Sequence, residues 1–145
     1  MVRSASIGRW ISVLYRYEQC YMENELKPYG LGSGQFIFLL VLLHQDGISQ
    51  EALAGILRID KGTTARAIQK LERAGYVVKQ TNTQDKRANL VYVTEKARQF
   101  HPTLQGILAK WTDLLSAGMT QAEKELILEL LQKMADNASC YFKGK

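Results

Sequence analysis

Lys61, Thr63, Thr64, Arg66, Lys70 and Arg73 lie within thirteen consecutive residues, and Asp85, Lys86 and Arg87 follow shortly after. These types suit one kind of chemistry. Lysine and arginine neutralise phosphates, a guanidinium matches the major-groove edge of guanine, and a threonine hydroxyl bonds phosphate or base edges. The segment 58–98 holds ten Lys and Arg against four Asp and Glu, a net charge of +6, while the other 104 residues sum to −1. A merely solvated face interleaves both signs. This one does not, and a basic surface confined to one segment is the electrostatic signature of a nucleic-acid reader.

Other chemistries find little support. The histidines, His44 and His101, have no Cys, Asp or Glu at the spacing of a zinc site or a catalytic triad. Cys20 and Cys140 are 120 residues apart and read as reduced thiols. Gly30, Gly32 and Gly34 alternate without the Lys-Ser/Thr of a phosphate-binding loop. No cofactor, metal site or catalytic set is expected, so the sequence reads as that of a non-enzyme.

The chain has 145 residues, 46% of them hydrophobic and 23% charged, enough to bury a core and typical of a folded domain. Its longest apolar run, 36–43, is too short to span a membrane. Arg9 and Arg16 interrupt the apolar N-terminal pattern, which argues against a secretory signal. A cytoplasmic protein is expected.

The elements that must position the basic residues follow from periodicity. Ile7, Trp10, Ile11, Leu14, Tyr17 and Tyr21 mark an amphipathic helix ending near Pro28. Ser33 is placed to cap a second, deeply buried helix that ends at the Asp46-Gly47 turn. Ser49 caps a short third helix with Leu53, Ala54 and Leu57 inward, and Asp60 caps a fourth that runs to about Ala74. In that fourth helix Thr64, Ala67, Ile68 and Leu71 share one face, and Thr63, Arg66, Lys70 and Arg73 the other. Gly75 then provides a left-handed stop. Two short helices joined by about four residues, the second basic, match a helix-turn-helix. Two β-rich runs flank the polar stretch 81–89 and predict a hairpin, in effect a wing. Thr94 caps a fifth helix, which Pro102 should kink or divide, and Thr120 to Glu123 form a capping box for a sixth.

This order resembles the MarR (multiple antibiotic resistance regulator) family of winged helix-turn-helix transcription factors. The resemblance is carried by DKGTTARAIQKLERAGYV at 60–77 and DKRANLVYVTEKA at 85–97, with Ala97 where the family often has glycine. It implies a mainly α fold with a small β-hairpin wing. Within a single unit, 1–145, residues 33–98 would form the winged DNA-binding part, and 1–28 with 99–145 the dimerisation helices. The apolar terminal helices point the same way, because too few other elements exist to cover them in a monomer.

The resemblance further implies a homodimeric regulator, in many relatives a repressor, that binds a pseudo-palindromic operator in double-stranded DNA. Thr63, Arg66 and Lys70 would face the major groove, with Thr64 and Arg73 nearby. Lys61 and Gly62 would offer backbone N–H groups to a phosphate. Arg87 would enter the minor groove, oriented by Asp85 and assisted by Lys86. Many relatives bind small aromatic or phenolic effectors, and by position Tyr15, Arg16, Tyr17 and His44 would line such a pocket. Two other functions remain to be weighed: redox sensing through Cys20, with Arg16 one turn before it, and a winged-helix protein-interaction module. The concentrated +6 charge argues against the latter.

Overall fold

The computed structural model describes residues 6–81 and 89–143. In chain order the elements are α1 (Ile7–Leu26), a 3-10 turn (Lys27–Tyr29), α2 (Phe36–His44), β1 (Ile48–Ser49), α3 (Gln50–Leu57), α4 (Lys61–Arg73), β2 (Val77–Thr81), β3 (Asn89–Val93), α5 (Glu95–Leu115) and α6 (Gln121–Lys143). The fold is mainly helical with a small antiparallel sheet, as the sequence predicts. The chain divides into two compact units, Met1–Ile107 and Leu108–Lys145.

Local signals set most boundaries. The Ser49 hydroxyl accepts from the Ala52 N–H at 3.0 Å and starts α3. Asp60 starts α4 in the same way, through Thr63. The capping box of α6 is reciprocal: the Thr120 N–H donates to Glu123 Oε1 at 2.8 Å, and the Glu123 N–H to Thr120 Oγ1 at 3.1 Å. These hydrogen bonds also hold the Glu123 carboxyl below its ordinary range. α1 gives way to a 3-10 turn containing Pro28, close to its predicted end.

Three expectations need correction. Ser33 does not cap α2, whose N-cap is Gln35 without a side-chain hydrogen bond. Glu23, from α1, takes the Ser33 N–H at 2.7 Å instead, and the Ser33 hydroxyl bonds Gln19. Pro102 does not divide α5, which runs unbroken from Glu95 to Leu115. The helix loses one backbone hydrogen bond there, while burial of Phe100, Leu104 and Ile107 on both sides holds it in place. The hairpin also gains a third strand: β1 pairs with β3, giving the order β1-β3-β2. Its register sets Ile48 opposite Val91, and Val77 opposite Val93.

Every buried apolar side chain among the described residues lies in the first unit. Met22 and Leu26 of α1, Phe38, Leu39 and Leu42 of α2, Leu53 of α3, Ile68 and Leu71 of α4, Val91 of β3 and Leu104 of α5 are fully or almost fully enclosed. Polar ties reinforce this core. The Tyr21 hydroxyl donates to the Ile107 carbonyl at 2.7 Å, and the Tyr76 hydroxyl to the Tyr29 carbonyl at 2.6 Å. Asp46 Oδ1 accepts from the Val93 N–H at 2.8 Å, fastening the α2–β1 turn to the sheet. The second unit has no buried side chain among its described residues. Leu114, Leu126, Leu128 and Phe142 are all more than half exposed.

Two glycines in the first unit test the turn geometry. Gly47 (φ 70°) and Gly75 (φ 85°) both occupy the left-handed region. A Cβ on Gly47 would lie 2.8 Å from the Tyr92 ring, whereas at Gly75 its nearest neighbour is the flexible Lys96 chain at 3.7 Å. Gly75→Ala should lower stability by about 1 kcal/mol through backbone strain alone, and Gly47→Ala by more. Urea unfolding monitored by circular dichroism checks the ranking; equal losses would contradict it.

Candidate nucleic-acid interface

The amphipathic pattern of α4 sorts its residues cleanly. Thr64, Ala67, Ile68 and Leu71 are buried, and the helix packs through them toward α2, α3 and β2. At 3.6 residues per turn, Gly62, Arg66, Gln69 and Arg73 point directly away from that face, with Thr63 and Lys70 on its flank. All six are exposed. Arg66 and Arg73 therefore share one solvent-facing stripe. Gln69 sits between them, where a helical wheel places it but where a search for charge passes over it; glutamine suits the major-groove edge of adenine.

The start of α4 is tightly bonded. Asp60 Oδ2 accepts from the Thr63 N–H at 2.9 Å, and Asp60 Oδ1 from the Thr63 hydroxyl at 2.7 Å. Thr63 Oγ1 accepts in turn from an Arg66 guanidinium nitrogen at 3.1 Å. The Asp60 carboxyl is held below its ordinary range, by the Thr63 N–H first, then the Thr63 hydroxyl, with the Arg66 charge adding to both. It stays ionised at neutral pH.

Thr64 departs from the expected interface. Its side chain is completely enclosed, and its hydroxyl donates to the Asp60 carbonyl at 2.9 Å. The residue type suggests a DNA contact, but its angular position assigns it to the core. Lys70 remains exposed and its positive charge is felt by Glu23, whose carboxyl is lowered chiefly by the Ser33 N–H and hydroxyl. Lys61 lies 3.7 Å from Glu51, both side chains four-fifths exposed. Such a pair contributes at most about 1 kcal/mol and leaves the lysine able to exchange partners. Asp85, Lys86 and Arg87 lie outside the described residues, between β2 and β3.

The residues expected around an effector do not all converge. A cleft of about 300 Å³ along α1 is lined by Val13, Arg16, Tyr17 and Cys20. Arg16 and Tyr17 thus meet, and Arg16 donates to the Ser12 hydroxyl at 2.6 Å. Tyr15 is exposed and does not line the cleft, since residues two apart on a helix face different ways. His44, at the end of α2, packs edge-on against His101 with 5.6 Å between ring centres. Cys20 and Cys140 are both exposed free thiols. Among the described residues no group of three His, Cys, Asp or Glu could hold a metal, and no helix is long and apolar enough to cross a membrane.

Comparison with known proteins agrees with this arrangement. The MarR family model matches residues 29–88, the span from the turn after α1 to just before β3. The uncharacterized HTH-type transcriptional regulator YybA of Bacillus subtilis (strain 168) is 34% identical over 131 residues, covering 90% of this chain and 87% of its own. The crystal structure of a MarR transcriptional regulator from Methanosarcina mazei Go1 superposes with a TM-score of 0.87 at 44% identity, covering 93% of this chain and 97% of that one. A MarR-family transcriptional regulator from Listeria monocytogenes, crystallised with a 26mer DNA, gives 0.86 at 34% identity, with coverages of 92% and 89%. These relatives are transcriptional regulators, not enzymes. With a winged helix-turn-helix fold and likeness along nine-tenths of its length, the chain belongs to the MarR family of transcriptional regulators.

Proposed function

We propose that this chain is a cytoplasmic, sequence-specific repressor that binds a pseudo-palindromic operator in double-stranded DNA as a homodimer and is released by a small aromatic or phenolic ligand. The observation that carries the DNA-binding part is the division of α4: one face is buried, and the opposite face presents Arg66, Gln69 and Arg73. A helix anchored in this way can enter a major groove without leaving its own domain. The Listeria relative crystallised with DNA supports the same reading. Lys61 and Lys70 would add phosphate attraction. Arg87, with Asp85 and Lys86, would reach the minor groove from the segment between β2 and β3.

Dimerisation is supported by apolar surface that the chain does not cover itself. Trp10 is 54% exposed, with Ile7, Ile11 and Leu14 beside it on α1; Leu126, Ile127, Leu130 and Leu131 are exposed on α6. Water-facing stripes of this kind favour association with a like stripe. The effector reading rests on the α1 cleft, where the Arg16 guanidinium suits a phenolate or carboxylate and the Tyr17 ring suits an aromatic face.

Sedimentation at micromolar concentration should show a species of twice the chain mass; a clean monomer contradicts the dimer. Gel shifts against the DNA upstream of the chain's own gene test the operator reading. Arg66→Ala should flatten the preference at one base pair of each half-site, a loss of about 1–3 kcal/mol, with half-site centres about 34 Å apart. Binding to random DNA should fall less. Arg87→Ala should instead reduce the salt dependence by about one counterion. Equal losses on operator and random DNA would make Arg66 a phosphate clamp, and an unchanged salt slope would remove Arg87 from the interface.

A further inference from the structure

The first turn of α4 places three side chains in one hydrogen-bonded line. Asp60 accepts from Thr63 and Thr63 accepts from Arg66, at 2.7 and 3.1 Å. A hydroxyl has one proton and two acceptor sites. The Thr63 proton is already committed to the Asp60 carboxylate, a strong charged acceptor, so none remains to donate to a phosphate or a base. The oxygen, polarised by that bond, is turned toward the Arg66 guanidinium. We infer that Thr63 is a positioning residue: together with Asp60 it fixes the Arg66 guanidinium for base readout and makes no DNA contact as a donor.

Two further features fit this role. Residue 62 is glycine, and a Cβ there would lie 3.4 Å from both an Arg66 guanidinium nitrogen and Asp60 Oδ2. A larger side chain would compete with the guanidinium for the space it occupies. Asp60 also sets a negative charge at the phosphate-facing end of a DNA-reading helix, where it weakens indiscriminate attraction. The same carboxylate caps α4 through the Thr63 N–H, and through the Thr63 hydroxyl it also reaches the Arg66 guanidinium. An arginine held near its bound geometry loses less side-chain freedom on binding, so its contact discriminates more sharply.

The inference rests on the proposed DNA-binding function, and the experiment separates the two. Thr63→Val keeps the β-branched shape and the backbone N–H that Asp60 caps, but removes the hydroxyl. Duplexes selected by the wild-type full chain from a random pool serve as probes, each compared with a version altered at the base pair where Arg66→Ala flattens the preference. Thr63→Val should reduce that discrimination about two- to tenfold, the worth of one hydrogen bond. Binding to random duplex and its salt slope should stay unchanged. Thr63→Ser should restore discrimination. In an Arg66→Ala background Thr63→Val should remove nothing further, because the two side chains act as one unit. An additive loss, or an equal loss on random duplex, would show that Thr63 touches DNA directly and overturn the inference. So would full discrimination in Thr63→Val. A wild-type chain that selects no sequence overturns the DNA-binding reading as well.

Discussion

Burial of Thr64, Ala67, Ile68 and Leu71 against the first unit's core is the constraint on which the interface depends. It fixes the rotation of α4 about its own axis, and that rotation alone decides which side chains face water. Turning the helix by one residue would bury Arg66's neighbours and scatter the exposed stripe. The Asp60 cap fixes the helix start, and Gly75, followed by Tyr76 locked to the Tyr29 carbonyl, fixes its end. A positively charged helix would otherwise be marginal alone, since short helices draw most of their stability from packing. Here apolar burial supplies the position, and the charged side chains on the other face stay exposed.

The two units contrast in what they bury. The first encloses a core that joins α1 to α5 across the sheet and the helix-turn-helix. The second, among its described residues, buries no side chain fully and leaves leucines open to water. In the proposed dimer, covering those faces would remove apolar area from water at about 25 cal/mol per Å² and so couple stability to association. Operator spacing in that dimer would be set by these same helices.

Features governed by near neighbours along the chain are legible in the sequence. Ser49, Asp60 and the Thr120–Glu123 box act within three residues, and each caps the helix predicted for it. Competition from distant residues is not legible in this way. Ser33 has the composition of a cap, but Glu23 from another helix claims its N–H. β1 has only two residues and owes its existence to Val91 and Leu90, some forty positions away. Pro102 has a strong local effect that the buried side chains around it outweigh. At the interface, spacing reveals the basic stripe, whereas Thr64 shows residue type misleading against angular position. Gln69 escapes notice for the complementary reason, being uncharged on a face recognised by charge. The partnership of Asp60, Thr63 and Arg66 emerges only in three dimensions, because spacing of three residues permits such a line but does not select it.

The central claim is that the exposed face of α4 reads base edges through Arg66. The most direct test replaces guanines of the selected duplex, one at a time, with 7-deazaguanine, which removes the N7 acceptor while leaving base pairing and phosphates intact. The account predicts that one replacement per half-site weakens binding of the wild-type chain by roughly tenfold, within the range of a bidentate arginine contact, and leaves Arg66→Ala unaffected. Wild-type binding that is indifferent to every replacement would contradict it.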